Sequence, residues 1–132
     1  MNHKYKLVAL AVSSVLLAGC AKNYDEANVV DVRVIALNDF HGALKAPGPN
    51  KPGGIEHMAT LVKELKKDNP NNIVVAAGDM VGASPLLSSM FHDEPTIEAL
   101  SLAGLEATSV GNHEFDKGMG ELLRKQNGGC HP

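Results

Sequence analysis

The sequence predicts an α/β domain organised on a short parallel sheet, and three observations carry that prediction. Apolar runs of strand length alternate with amphipathic helical patterns along residues 29–126, the signature of βαβ units. Two of these runs, Val34–Leu37 and Ile73–Ala77, are continuously apolar, as expected of strands buried on both faces. Three strands then end abruptly in groups able to bind metal or move protons: Asp39 and His41, then Asp79, then Asn112 and His113. Active sites of α/β proteins lie at the carboxyl ends of strands.

The chain of 132 residues has room for one small domain. A hydrophobic content of 44% excludes wholesale disorder. Formal net charge is −3, with no basic run outside the N-terminus, so nucleic-acid binding is not expected. Residues 1–19 read as an export signal: His3, Lys4 and Lys6 precede an apolar core, Leu7–Leu17, that is short of the roughly 20 residues a bilayer span needs. Leu17-Ala18-Gly19-Cys20 resembles a bacterial lipobox. That resemblance implies cleavage before Cys20, lipidation of Cys20 and a lipid-membrane anchor. Ala21 replaces the Asp that would signal inner-membrane retention. The expected fate is outer-membrane anchoring, facing the periplasm or cell surface. Residues 20–28 then form a tether, and 29–132 the folded part of the chain. Cys130 would be left without a partner in an oxidising compartment, so half of a disulfide completed further along the chain is expected.

Each element has its own signal. Val29–Leu37 reads as a strand, alternating at first and then fully apolar, with its far end buried on both faces. Residues 43–54 form a loop punctuated by Pro47, Pro49 and Pro52. Ile55–Lys67 is a helix, with Ile55, Met58, Ala59, Val62 and Leu65 on one face, and Asn69-Pro70 stops it. Ile73–Ala77 is the second strand. Pro85–Met90 is a short helix, and a further helix starts at Asp93-Glu94-Pro95 and ends at Gly104. Ala107–Val110 is the third strand. Gly118–Gln126 is the last helix, with Met119, Leu122 and Leu123 as its apolar face.

Parallel pairing brings the three polar strand ends to one edge. Carboxylate, imidazole and amide oxygen form a mixed N/O set suited to zinc, manganese or iron. Singly the residues say little. An Asp after a strand is more often a turn or cap, Asn112 alone could be a left-handed turn residue, and His57, His92 and His131 read as surface groups. Cys130-His131 is too small a set for a metal site.

In order, D-x-H at Asp39–His41, G-D at Gly78-Asp79 and G-N-H-E at Gly111–Glu114 resemble the calcineurin-like metallophosphoesterases. Asn38–Gly42, Gly53-Gly54 before a helix, Ser84-Pro85 after Gly78-Asp79, and G-N-H-E-F-D at 111–116 are similar to the branch of 5′-nucleotidases, UDP-sugar hydrolases and 2′,3′-cyclic phosphodiesterases. The resemblance covers roughly residues 32–125. It implies part of an αββα sandwich, the N-terminal half of the catalytic domain. It also implies two divalent metal ions of the Zn, Mn, Co or Fe type. Asp39 and His41 would bind the first metal, Asp79 would bridge, and Asn112 would bind the second. His113 would stabilise phosphoryl charge, with Asp116 orienting it. Glu114 is read as support for the loop or a helix start, with no catalytic role. Family members take further ligands and a substrate domain from later segments, so the chain is expected to be the N-terminal part of a longer protein. Two functions stand open at this point. One is hydrolysis of nucleotides or sugar nucleotides by a dinuclear-metal hydroxide. The other is an incompetent lipoprotein fragment with at most weak metal binding.

Overall fold

The computed structural model describes residues 28–51 and 53–128; the lipobox with Cys20, and Cys130-His131, lie outside them. The chain divides into two units at Val30–Asp31. In the first, the described Val29 and Val30 are exposed. The second holds the domain.

Three parallel strands, β1 (Arg33–Leu37), β2 (Asn72–Ala76) and β3 (Ala107–Thr108), stand in the order β1-β2-β3. Helix α1 (Gly54–Lys67) connects β1 to β2. The short α2 (Leu86–Ser89) and α3 (Glu94–Leu102) connect β2 to β3, and α4 (Gly118–Gln126) follows a 3₁₀ turn at His113–Phe115. Arg33 pairs with Asn72 and Leu37 with Ala76, while Ala76 also pairs with Thr108. This register sets the carboxyl ends of all three strands on one edge.

The predicted elements are found, β3 stopping at Thr108 short of the predicted Val110, and three further corrections apply. Strand β1 begins at Arg33 and not at Val29, because the pairing stops where β2 starts: the Arg33 N–H donates to the Asn71 carbonyl, and Val32 is exposed. Nor is β1 buried on both faces. Ile35 is buried, but Val34 is 61% exposed and Ala36 is exposed. Among the described residues, both buried clusters lie on the Ile35 face. In one, Ile35 and Val74 meet Val62 of α1; in the other, Ala76 and Met80 meet Leu100 of α3, with Leu37, Met58 and Leu105 packed against both. One face of the sheet therefore carries the core, as in half of a layered α/β arrangement.

The third correction concerns α3 and α4. Asp93 precedes α3 as predicted, but its side chain makes no cap. It is 1% exposed and turned inward. There it accepts a hydrogen bond from Ser88 Oγ at 2.8 Å and lies 3.5 Å from Lys125 Nζ. Lys125 is correspondingly buried, while the predicted apolar residues Met119 and Leu123 are exposed. Helix α4 thus docks through charge: Arg124 is bonded to Glu94 at 2.8 Å and is held in place by Glu121 of the same helix at 2.8 Å.

Candidate metal centre at the strand ends

Beyond Leu37 and Ala76 the first two strands stop pairing regularly but do not part. The N–H groups of Asp39, His41 and Gly42 donate to the carbonyls of Gly78, Asp79 and Met80 at 3.0–3.3 Å. The D-x-H loop is therefore fixed to the G-D loop through backbone. Asp39, His41 and Asp79 all adopt left-handed backbone, with φ of 51°, 49° and 54°. Each such conformation costs about 1–3 kcal/mol and persists only where the surroundings impose it.

The third strand end is brought equally close. Gly78, at φ 103°, leaves no room for a side chain, since a Cβ there would lie 2.5 Å from Gly111 N. At Gly111 a Cβ would overlap Asp79 Oδ1 and lie 2.7 Å from its Cγ. The two glycines of the motifs exist because the loops touch. Asp79 Oδ1 accepts the His113 N–H at 3.0 Å, across that contact.

The imidazoles are oriented through their Nδ1 atoms. His41 Nδ1 lies 3.1 Å from the Gly82 carbonyl, and His113 Nδ1 lies 2.9 Å from Asp116 Oδ2. A carbonyl only accepts, so His41 carries its proton on Nδ1 and keeps the Nε2 lone pair for a cation. The two rings meet edge to face, with centroids 4.9 Å apart. His41, Asp79 and His113 each offer a ligand atom within 4.8 Å of the others. Asp39 Oδ1 lies 3.8 Å from His41 Nε2, and its other oxygen accepts from Asn38 Nδ2. Asn112 stands between Gly111 and His113 with an exposed side chain. The donor chemistry of the set fits a divalent cation of the imidazole–carboxylate class.

Hydrogen bonding to Asp116 holds the His113 imidazolium pKa above its ordinary value; partial desolvation opposes this, and the charges of Asp116, Asp79 and Glu114 add to it. Asp116 is correspondingly held below the usual carboxylate range by the His113 hydrogen bond, with a further bond from Ala83 N–H at 3.2 Å. His57 and His92 are exposed.

One contributor was not visible in the sequence pattern, and a second, Glu114, was read as loop support without its partners. The Gly82 carbonyl orients His41 although no motif marks it. Glu114 is 5% exposed and accepts backbone hydrogen bonds from both loops. Its presence in G-N-H-E was the only signal, because its partners at 79–81 lie 33–35 residues away.

A parallel sheet whose strand ends converge on imidazole and carboxylate groups is an arrangement suited to a divalent cation. The sequence profile of the calcineurin-like phosphoesterases matches residues 32–129, and the chain belongs to that family. It is 42% identical over 148 residues to a protein encoded in the pqq-V 5′ region of Acinetobacter calcoaceticus, covering 96% of this chain and 72% of that one. It is 41% identical over 113 residues to the endonuclease YhcR of Bacillus subtilis, covering 78% of this chain and 9% of that one. At lower identity, 26% over 128 residues, it resembles the 5′-nucleotidase of Rattus norvegicus, covering 89% of this chain and 21% of that one. The fold matches that of the NAD nucleotidase NadN of Haemophilus influenzae, with a TM-score of 0.68 at 24% identity over 75% of this chain and 19% of that one. The chain thus spans under a quarter of three of these proteins.

Proposed function

We propose that this chain carries the strand-end metal centre of a nucleotidase-type phosphoester hydrolase acting on nucleotides or sugar nucleotides. The observation that carries the reading is the convergence of His41, Asp79 and His113 to within 4.8 Å at the edge where the strands end. Resemblance to proteins named for nucleotidase activity supports the substrate class.

In this reading Asp39 and His41 would hold one divalent cation, Asn112 a second through its amide oxygen, and Asp79 would be a ligand to both. Bound cations of this kind supply an activated water at neutral pH and neutralise phosphoryl charge. The chain's own groups do the rest. The Gly82 carbonyl keeps the His41 proton on Nδ1. Asp116 holds His113 by Nδ1, so the proton on Nε2 is the one available to a phosphoryl or leaving-group oxygen. The Asp116 hydrogen bond favours the protonated form of His113.

The test is phosphate release from AMP and p-nitrophenyl phosphate after adding Mn²⁺, Co²⁺ or Zn²⁺ to metal-free protein, with Asp79→Ala beside the wild type. Metal-dependent turnover that Asp79→Ala abolishes is expected. Metal-independent turnover, or full activity in the variant, overturns the proposal. A second reading, weak metal binding without turnover, is favoured by the exposure of Asp39, 58% at the side chain. Calorimetric titration with Zn²⁺ separates the two, since binding without phosphate release supports the second.

The same proposal places the protein on a membrane through Cys20. Palmitate labelling of cells expressing the wild type and Cys20→Ala tests this, and equal labelling refutes it.

A further inference from the structure

The buried carboxylate of Glu114 is the one acid of the strand-end loops that faces neither solvent nor the cluster of possible ligand atoms. Its Oε2 accepts from the N–H of Asp79 at 2.9 Å and of Gly111 at 2.6 Å. Its Oε1 accepts from Met80 at 2.8 Å and Val81 at 3.3 Å. A carboxylate has about four acceptor sites, and all are taken by backbone amides. Three of these amides follow β2 and one follows β3. The arrangement is reciprocal: Glu114, from the third loop, binds the backbone of the second, while Asp79, from the second, accepts from the His113 N–H of the third.

We infer that Glu114 is a positioning residue that sets the distance and orientation of Asp79 relative to Asn112 and His113. Four N–H groups aimed at one buried carboxylate hold Asp79 in its left-handed backbone and keep Gly111 against its side chain. Glutamine has the same shape but one oxygen and one NH₂. Whichever way it turns, two of the four amides face a donor and lose their acceptor. The loops then separate at that point, and the ligand groups separate with them. The consequence for metal rests on the proposed function; the clamp itself does not.

The test has two arms on the full chain. In the metal-free protein, amide hydrogen exchange by NMR should show the N–H groups of 79, 80, 81 and 111 protected, and Glu114→Gln should release at least two of them while the circular dichroism spectrum is retained. With Co²⁺ added, the variant should bind about 10- to 100-fold more weakly, with visible absorption bands shifted from those of the wild type, a change that general loss of stability does not produce. Unchanged protection refutes the clamp. Lost protection with the same Co²⁺ affinity and spectrum refutes the positioning role. If the wild type itself binds no Co²⁺, the proposed metal centre fails and the positioning role fails with it, while the exchange arm still decides the clamp. Should Glu114→Gln not fold, Glu114→Asp, which keeps the charge and withdraws it by one methylene, carries the same comparison.

Discussion

Gly111→Ala tests the claim that the motif glycines exist because the loops touch. The added methyl overlaps Asp79 Oδ1 and comes within 2.7 Å of Asp79 Cγ and N, where real Cβ contacts do not fall below 3.0 Å. Gly111 has no positive φ, so the penalty is steric and falls on one residue, on the Asp79 side chain and its backbone N. The Asp79 carboxylate must move by several tenths of an ångström to about 1 Å, on the scale at which misplaced groups cost roughly 10²-fold. It gives up the His113 N–H, and a hydrogen bond lost from a buried donor costs about 1–3 kcal/mol. Alanine's smaller unfolded-state entropy returns about 0.4–1 kcal/mol, leaving a net loss of up to about 2.5 kcal/mol. Urea denaturation measures the stability, and Zn²⁺ titration measures the site. Gly120→Ala is the control: Gly120 lies inside α4 with nothing within 4 Å of its Cβ position, so it should stabilise by about 0.5–1 kcal/mol. A Gly111→Ala protein as stable as wild type, with unchanged Zn²⁺ affinity, would refute the reasoning.

Val62→Ala removes two methyl groups from a site 2% exposed between Ile35 and Val74, and should cost about 2 kcal/mol in urea denaturation. If the proposed function holds, Asp116→Ala should lower kcat by about 10²-fold with little change in KM, since it withdraws the acceptor from His113 Nδ1 and leaves the proposed cation ligands in place. Acid should destabilise the protein through α4. Burial opposes ionisation of Asp93, but the hydroxyls of Ser84 and Ser88 and the charges of Lys125 and Lys117 outweigh it and hold its pKa below 3.8. A depressed carboxyl pKa contributes stability that is fully present above the unfolded value and lost as pH falls through the folded one. Thermal unfolding should therefore be insensitive to this group at neutral pH and fall below about pH 3.8, more shallowly in Asp93→Asn.

The strands and helices were legible because their apolar spacing is local: α4 spans Gly118–Gln126 as its sequence pattern predicts. The strand ends were legible because parallel pairing obliges Asp39, Asp79 and His113 to share an edge. What could not be read was set by partners distant in sequence. The exposure of Val34 depends on which face of the sheet the helices cover. The inward turn of Lys125 depends on Asp93, 32 positions earlier, and a lysine beside exposed Met119 and Leu123 inverts the usual amphipathic rule. Glu114 stood in view within G-N-H-E-F-D, yet its importance lies in amides contributed by another loop.

The left-handed backbone at Asp39, His41 and Asp79 sets the site against the fold. Glycine at any of the three would relax the chain and, on the proposed function, erase a ligand in the same step. Variants selected only for heat resistance should thus accumulate losses at these positions, and a library screened for folding alone would drift toward a tougher protein with an empty edge. Retaining all three demands selection on what the site does, because stability by itself favours their removal.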